Sequence, residues 1–91
     1  MKDLNVSRDT MKFLKKLPPK QYKQVSQRLW SLAKDQNPHD SKQLKGTPGY
    51  LRIDVGEYRA IYRNEPEVVM ITLVGKRNDD DVYKKLDRKR T

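Results

Sequence analysis

Polar and apolar residues alternate with a two-residue period along one long run of this chain, Leu44 to Tyr62, LKGTPGYLRIDVGEYRAIY. Such alternation predicts half-buried strands, and the run divides in two at Val55-Gly56-Glu57-Tyr58. Glycine at the first central position of a two-residue loop marks a type II′ turn, because that position needs positive φ. The register then follows: Tyr58 opposite Val55, Arg59 opposite Asp54, Ala60 opposite Ile53, Ile61 opposite Arg52 and Tyr62 opposite Leu51. Opposed residues share one side of a sheet. One face therefore carries Leu51, Ile53, Val55, Tyr58, Ala60 and Tyr62. The other carries Arg52, Asp54, Arg59 and Ile61, with Tyr50 and Arg63 at its margin. The first face needs a core; the second is expected to stay open.

Upstream, residues 2–6 predict a short strand with Leu4 and Val6 on one side. Ser7 is suited to cap a helix, since its hydroxyl can accept from a backbone N–H of the first turn. Met11, Leu14 and Leu17, with Phe13 beside them, form an apolar stripe at helical spacing, and Pro18-Pro19 ends it. A second helix is predicted from Pro19 to Gln36, with Tyr22, Val25, Leu29, Leu32 and Ala33 on its apolar stripe. Trp30 lies off that stripe, where it either covers the margin or stacks on a base. Asn37-Pro38 stops the helix, and residues 37–43 read as a polar connector.

Downstream, Asn64-Glu65-Pro66 makes a turn, and Glu67 to Val74 is a β-branched, nearly continuous apolar run, as expected of a strand inside the sheet. Gly75 is expected to break it, and Lys76-Arg77 follow. Asn78 to Asp81 is suited to open a short helix carrying Val82, Tyr83 and Leu86, because carboxylates favour the positive end of the helix dipole. The order strand, helix, helix, three meandering strands, short helix predicts a single α+β domain over residues 1–91. Two N-terminal helices would pack as a layer on one face of a small, mainly antiparallel sheet.

Composition narrows the chemistry. Hydrophobic residues make up 34% of the chain and charged residues 36%, so the core must be thin. There is no cysteine, which removes disulfides, thiolate metal sites and a thiol nucleophile. No run approaches the ~18 apolar residues of a membrane helix, so a soluble, cytoplasmic protein is expected. Lys and Arg number 21 against 12 Asp and Glu, a formal net charge of +9. A surplus that large predicts attraction to polyanions, nucleic acid first among them.

The sole histidine, His39, sits beside a proline in a polar stretch with no nucleophile next to it, and reads as a solvated loop residue. No carboxylate pair, His/Cys cluster, Gly-rich phosphate loop or Ser/His/Asp arrangement stands out; neither metal nor cofactor is expected. What remains on the second face is guanidinium. Arg52 and Arg59 lie on the hairpin, with Arg77 at the end of the last strand and Tyr83 on the helix beyond. Guanidinium groups bind phosphate through paired hydrogen bonds and can stabilise a charged transition state without a metal.

The motif LKGTPGYLRIDVGEYRAIY followed by VGKRNDDDVY resembles the RelE/ParE toxin superfamily of type II toxin–antitoxin systems, and within it the RelE-type messenger-RNA endonucleases. The resemblance rests on residues 44–83 by motif and on the two helices by pattern. It implies a RelE/ParE-like fold and cleavage of mRNA in the ribosomal A site by attack of a 2′-hydroxyl on the adjacent phosphate. It also implies an antitoxin that covers the basic face. By position it assigns catalytic roles to Arg52, Arg59, Arg77 and Tyr83, with Arg77 at the leaving oxygen and Tyr83 stacking on a base. Lys45 would bind RNA backbone, and Lys76 and Arg63 would add to RNA binding. Where RelE-type chains often carry a second basic residue on the first hairpin strand, this one has Asp54, read as a cross-strand ion pair with Arg59; the functional alternative is that it orients Arg59 or acts as a base itself. Two other readings share these residues: a ParE-type toxin that inhibits DNA gyrase without cutting, and a non-catalytic RNA-binding module.

Overall fold

The computed structural model describes residues 1–77 and 81–90. The chain opens with strand β1 (Asp3–Val6) and turns at Ser7 into helix α1 (Arg8–Lys15). Ser7 caps that helix as predicted: its Oγ accepts from the Thr10 N–H at 3.1 Å. The same hydroxyl donates to the Thr72 carbonyl at 2.7 Å, fastening the helix start to the sheet. This tether rolls Thr10 inward, fully buried, and leaves Met11 43% exposed, so Met11 is not the core residue its spacing predicts.

Helix α2 (Pro19–Ser31) starts on proline, whose missing N–H costs nothing in a first turn. It stops before the predicted end at Gln36. The N–H groups of Leu32, Ala33 and Lys34 turn back to carbonyls three residues earlier, and the Gln36 carboxamide donates to the Leu32 and Ala33 carbonyls at 3.0 and 2.8 Å. Those bonds satisfy acceptors that a helix end otherwise leaves bare. Val25, Leu29, Leu32 and Ala33 are buried as expected, whereas Tyr22 in the first turn is exposed. Trp30 is 64% exposed.

The connector hides a strand the sequence does not announce. β2 (Lys42–Gln43) pairs antiparallel with β3 (Tyr50–Val55), Lys42 opposite Arg52. Two polar residues have no readable period, and pairing alone defines them. β3 and β4 (Tyr58–Asn64) form the hairpin in the predicted register, from Val55–Tyr58 to Leu51–Tyr62, and Gly56 takes φ 57° at its turn. β5 (Val68–Lys76) pairs antiparallel with β4 and runs through Gly75, which lies opposite Arg59 instead of ending the strand. With β4 supplying the ladder opposite it, the glycine weakens the strand without terminating it. A β-bulge at Thr72 shifts the register between Ile61 and Tyr62 and presents the carbonyl that Ser7 takes. β1 completes the far edge parallel to β5, giving the order β1-β5-β4-β3-β2.

Helices α1 and α2 cover the face bearing Ile53, Val55, Tyr58, Ala60 and Tyr62, with Val69, Ile71 and Val74 from β5. This is the expected two-helix layer on a mainly antiparallel sheet. Tyr62 is fully buried at its centre, its hydroxyl donating to the Gln36 carbonyl at 2.8 Å. The opposite face is not as open as its sequence suggests. Helix α3 (Asp81–Arg90) lies across it, and Val82 and Leu86 pack on Ile61 and Leu73 in a second, smaller core. The Asn78–Asp81 helix start falls largely outside the described residues, of which Asp81 opens α3. No helix of the described residues is long and apolar enough to cross a membrane.

Candidate functional site

What α3 leaves uncovered is the hairpin end of this second face, where β3, β4 and β2 present charge. Arg52, Asp54 and Arg59 all point this way, because the alternation that buries Ile53, Val55, Tyr58 and Ala60 turns their neighbours outward. Arg59 is the centre of the constellation. Its Nε donates to Asp54 Oδ1 at 2.7 Å and its Nη2 approaches Oδ2 at 3.4 Å. Its Nη1 donates to the Tyr83 hydroxyl at 2.7 Å. The guanidinium carbon also lies 5.7 Å from the Tyr83 ring centroid, within reach of a cation–π contact. Three of its donors are thus engaged before any ligand arrives.

Asp54 collects arginines in turn. Arg77 Nη1 stands 4.0 Å from Asp54 Oδ2, and Arg52 shares a small cleft with Asp54, Lys42 and Asp40. The hydrogen bond from Arg59 holds the Asp54 carboxyl below its ordinary value; burial opposes this, and the charges of Arg59, Arg52 and Arg77 add to the lowering. The same hydrogen bond raises Arg59 above the ordinary arginine value, assisted by Tyr83. Arg59 is therefore a permanent cation, and Asp54 a permanent anion, over the neutral range.

A groove of about 660 Å³ opens beside this cluster, lined by Lys42, Gln43, Leu44, Lys45, Thr47, Arg52, Arg59 and Tyr83. Of the residues that the sequence singles out, Arg52, Arg59, Tyr83 and Lys45 meet at this groove, and Arg77 joins through Asp54. Two do not. Lys76 lies opposite Tyr58, so it belongs to the helix-covered side of the sheet and not beside Arg59. Arg63 sits at the other end of the hairpin, 5.4 Å over the Tyr50 ring and 3.6 Å from Glu65. Period-two alternation places Arg63 on the right face but cannot show how far down the strand it stands. Lys42, Gln43 and Thr47 are site residues that sequence reasoning missed. Lys42 enters because β2 pairs it with Arg52, a tertiary fact with no local signal. His39 is exposed in the connector, as expected of a loop residue. Among the described residues no three His, Cys, Asp or Glu side chains converge as a metal site would require.

The arrangement is a basic groove with an aromatic hydroxyl at its wall, which can hold a phosphate chain, stack a base and stabilise charge at phosphorus. Comparison with known proteins identifies the family and the fold. Residues 4–81 match the family model described as ParE toxin of type II toxin–antitoxin system, parDE. No curated protein matches the chain. Among solved structures, a doubly substituted E. coli toxin RelE in the free state superposes with a TM-score of 0.80 at 21% identity, over 99% of this chain and 98% of that one. The archaeal RelE of the RelE–RelB complex from Pyrococcus horikoshii OT3 gives 0.75 at 24% identity, over 86% and 97%. The chromosomal ParDE system of P. aeruginosa gives 0.70 at 14% identity, over 84% and 96%. These likenesses establish the fold.

Proposed function

This chain belongs to the ParE toxin family of type II toxin–antitoxin systems, within the RelE/ParE superfamily, and from its groove we propose that it is a metal-independent endoribonuclease that cuts mRNA in the ribosomal A site. The observation that carries this reading is the Arg59–Tyr83 hydrogen bond of 2.7 Å at the wall of a groove that also holds Lys42, Lys45 and Arg52. The groove, about 660 Å³ in volume, has basic lining enough to take several phosphates of a strand beside that tyrosine.

In the reaction, the RNA backbone lies along the groove with Lys42 and Lys45 on flanking phosphates. The 2′-hydroxyl attacks the adjacent phosphorus, the 5′-oxygen departs, and a cyclic phosphate and a 5′-hydroxyl end remain. Arg52 and Arg59 stabilise the charge that builds on the phosphoryl oxygens. Arg77, exposed at the end of β5, meets the leaving oxygen. Tyr83 accepts from Arg59, which leaves its own O–H free to follow the proton that moves. Asp54 is a weak base, since Arg59 lowers its proton affinity. With no strong base, the rate depends on alignment of attacking oxygen, phosphorus and leaving oxygen, and alignment is what a ribosome-held strand supplies. The formal charge of +9 favours an acidic antitoxin partner over this face.

One observation favours a second reading, inhibition of DNA gyrase by protein binding: the matching family model is that of ParE. Primer extension on a translated mRNA, with and without ribosomes, separates the two. Cuts that appear only on ribosomes, and vanish in the Arg77→Ala/Tyr83→Ala double variant, are the expected result. Growth arrest without cuts would transfer the chain to the gyrase reading.

A further inference from the structure

Three guanidinium groups surround one carboxylate in this site. Arg59 grips Asp54 through two nitrogens at 2.7 and 3.4 Å, Arg77 approaches the second oxygen at 4.0 Å, and Arg52 lines the same small cleft as Asp54. A carboxylate and a phosphodiester present the same thing to an arginine fork, two oxygens sharing one negative charge. We propose that Asp54 is a built-in substitute for the substrate phosphate, which occupies the Arg59 fork until a continuous polyanion displaces it. The inference deepens the RNA reading and rests on the groove being where the strand binds.

The consequence is selectivity for strand length. Exchange of one carboxylate for one phosphodiester at Arg59 is nearly neutral in charge, so an isolated phosphate gains little by displacing Asp54. A strand whose neighbouring phosphates also reach Lys42, Lys45 and Arg52 gains those contacts and tips the exchange. Asp54 thus discriminates against single anions, by a competing charge instead of a clash. Its position allows such an exchange. The side chain is 40% exposed, on a strand whose register is set by the buried residues on either side, so it can swing off Arg59 without disturbing the sheet. Arg59 stays anchored meanwhile by its separate hydrogen bond to Tyr83.

The test is binding of an uncleavable 2′-O-methyl RNA hexamer to the intact chain, by calorimetry across a salt series, for wild type, Asp54→Asn and Asp54→Glu. Asn keeps the shape and removes the charge; Glu keeps the charge. Asp54→Asn should bind about tenfold more tightly than wild type, while Asp54→Glu stays close to it. The slope of log K against log[salt] should be the same in Asp54→Asn and wild type, because the strand neutralises the same phosphates once Asp54 has yielded Arg59; an increase of about 0.7 would mean that wild type keeps Arg59 on Asp54 and neutralises one phosphate fewer. That slope is indifferent to a purely structural role. Inorganic phosphate should bind Asp54→Asn measurably and wild type hardly at all. Equal or weaker hexamer binding by Asp54→Asn, a gain accompanied by a steeper slope, or binding by none of the proteins would each overturn the proposal. Tighter binding by Asp54→Asn with no cleavage by any variant would uphold it and remove the nuclease reading instead. A folding defect shown by circular dichroism in Asp54→Asn would move the measurement to Asp54→Ser, with the same outcomes.

Discussion

Arg59 and Tyr83, 24 residues apart, are joined by a 2.7 Å hydrogen bond from Nη1 to the phenol oxygen, with the guanidinium 5.7 Å from the ring centroid. The bond runs from the central hairpin to the C-terminal helix and unites the charged site with the second core. The packing of Val82 and Leu86 thus sets where the Tyr83 hydroxyl meets Arg59, which Asp54 holds from the adjacent strand.

Tyr83→Phe separates the hydroxyl from the ring. The variant keeps the stacking surface and loses a hydrogen bond worth about 1 kcal/mol, which a urea midpoint will show. Ribosome-dependent cleavage should fall about 10²-fold if the hydroxyl moves a proton. Tyr83→Ala should fall further, because a stacked base contributes about 1–3 kcal/mol.

Arg77→Ala should leave the fold intact and abolish cleavage. The side chain is 53% exposed and stands 4.0 Å from Asp54, so its removal should change unfolding free energy by no more than about 0.5 kcal/mol. Cleavage at the wild-type rate would take Arg77 out of the mechanism.

Leu86→Ala tests whether α3 is held by its small core. Leu86 is 2% exposed and packs with Ile61, Leu73 and Val82. The substitution should cost about 2–5 kcal/mol by transfer and cavity terms together. Hydrogen exchange should quicken in α3 and around Ile61 more than in the Tyr62 core, and cleavage should drop although no site residue has changed.

Acid should unfold the wild type more steeply than Asp54→Asn. Arg59 lowers the folded-state pKa of Asp54, so its stabilisation is fully present above the ordinary aspartate range and is lost as pH falls through the lower folded value. Screening at a site 40% exposed keeps the effect near the about 0.2–1 kcal/mol of a surface pair. Urea midpoints measured from pH 6 down to pH 2 should converge for the two proteins at the acid end.

Much of this molecule was legible in its sequence, and for a local reason. Period-two alternation specifies which hairpin residues share a side, and Gly56 specifies the turn, so the whole register from Val55–Tyr58 to Leu51–Tyr62 followed. Ser7 as a cap and Pro18-Pro19 as a break are local signals too, and the structure has both. Arg52 and Arg59 could be singled out because alternation leaves charge on the second face, whereas the role given to Tyr83 came from the family resemblance. Tertiary structure decided what depends on partners distant in the chain. Met11 faces water because a hydroxyl bond from Ser7 to the Thr72 bulge sets the roll of α1. Lys42 reaches the groove because β2 pairs with Arg52, while Lys76 leaves it because its register partner is Tyr58. Ile61 is buried because α3 crosses the face that its period leaves open. Alternation states which side a residue is on; only the packing of whole elements states whether that side meets solvent, a helix or a ligand, since burial is a property of the surfaces brought together and not of either strand alone.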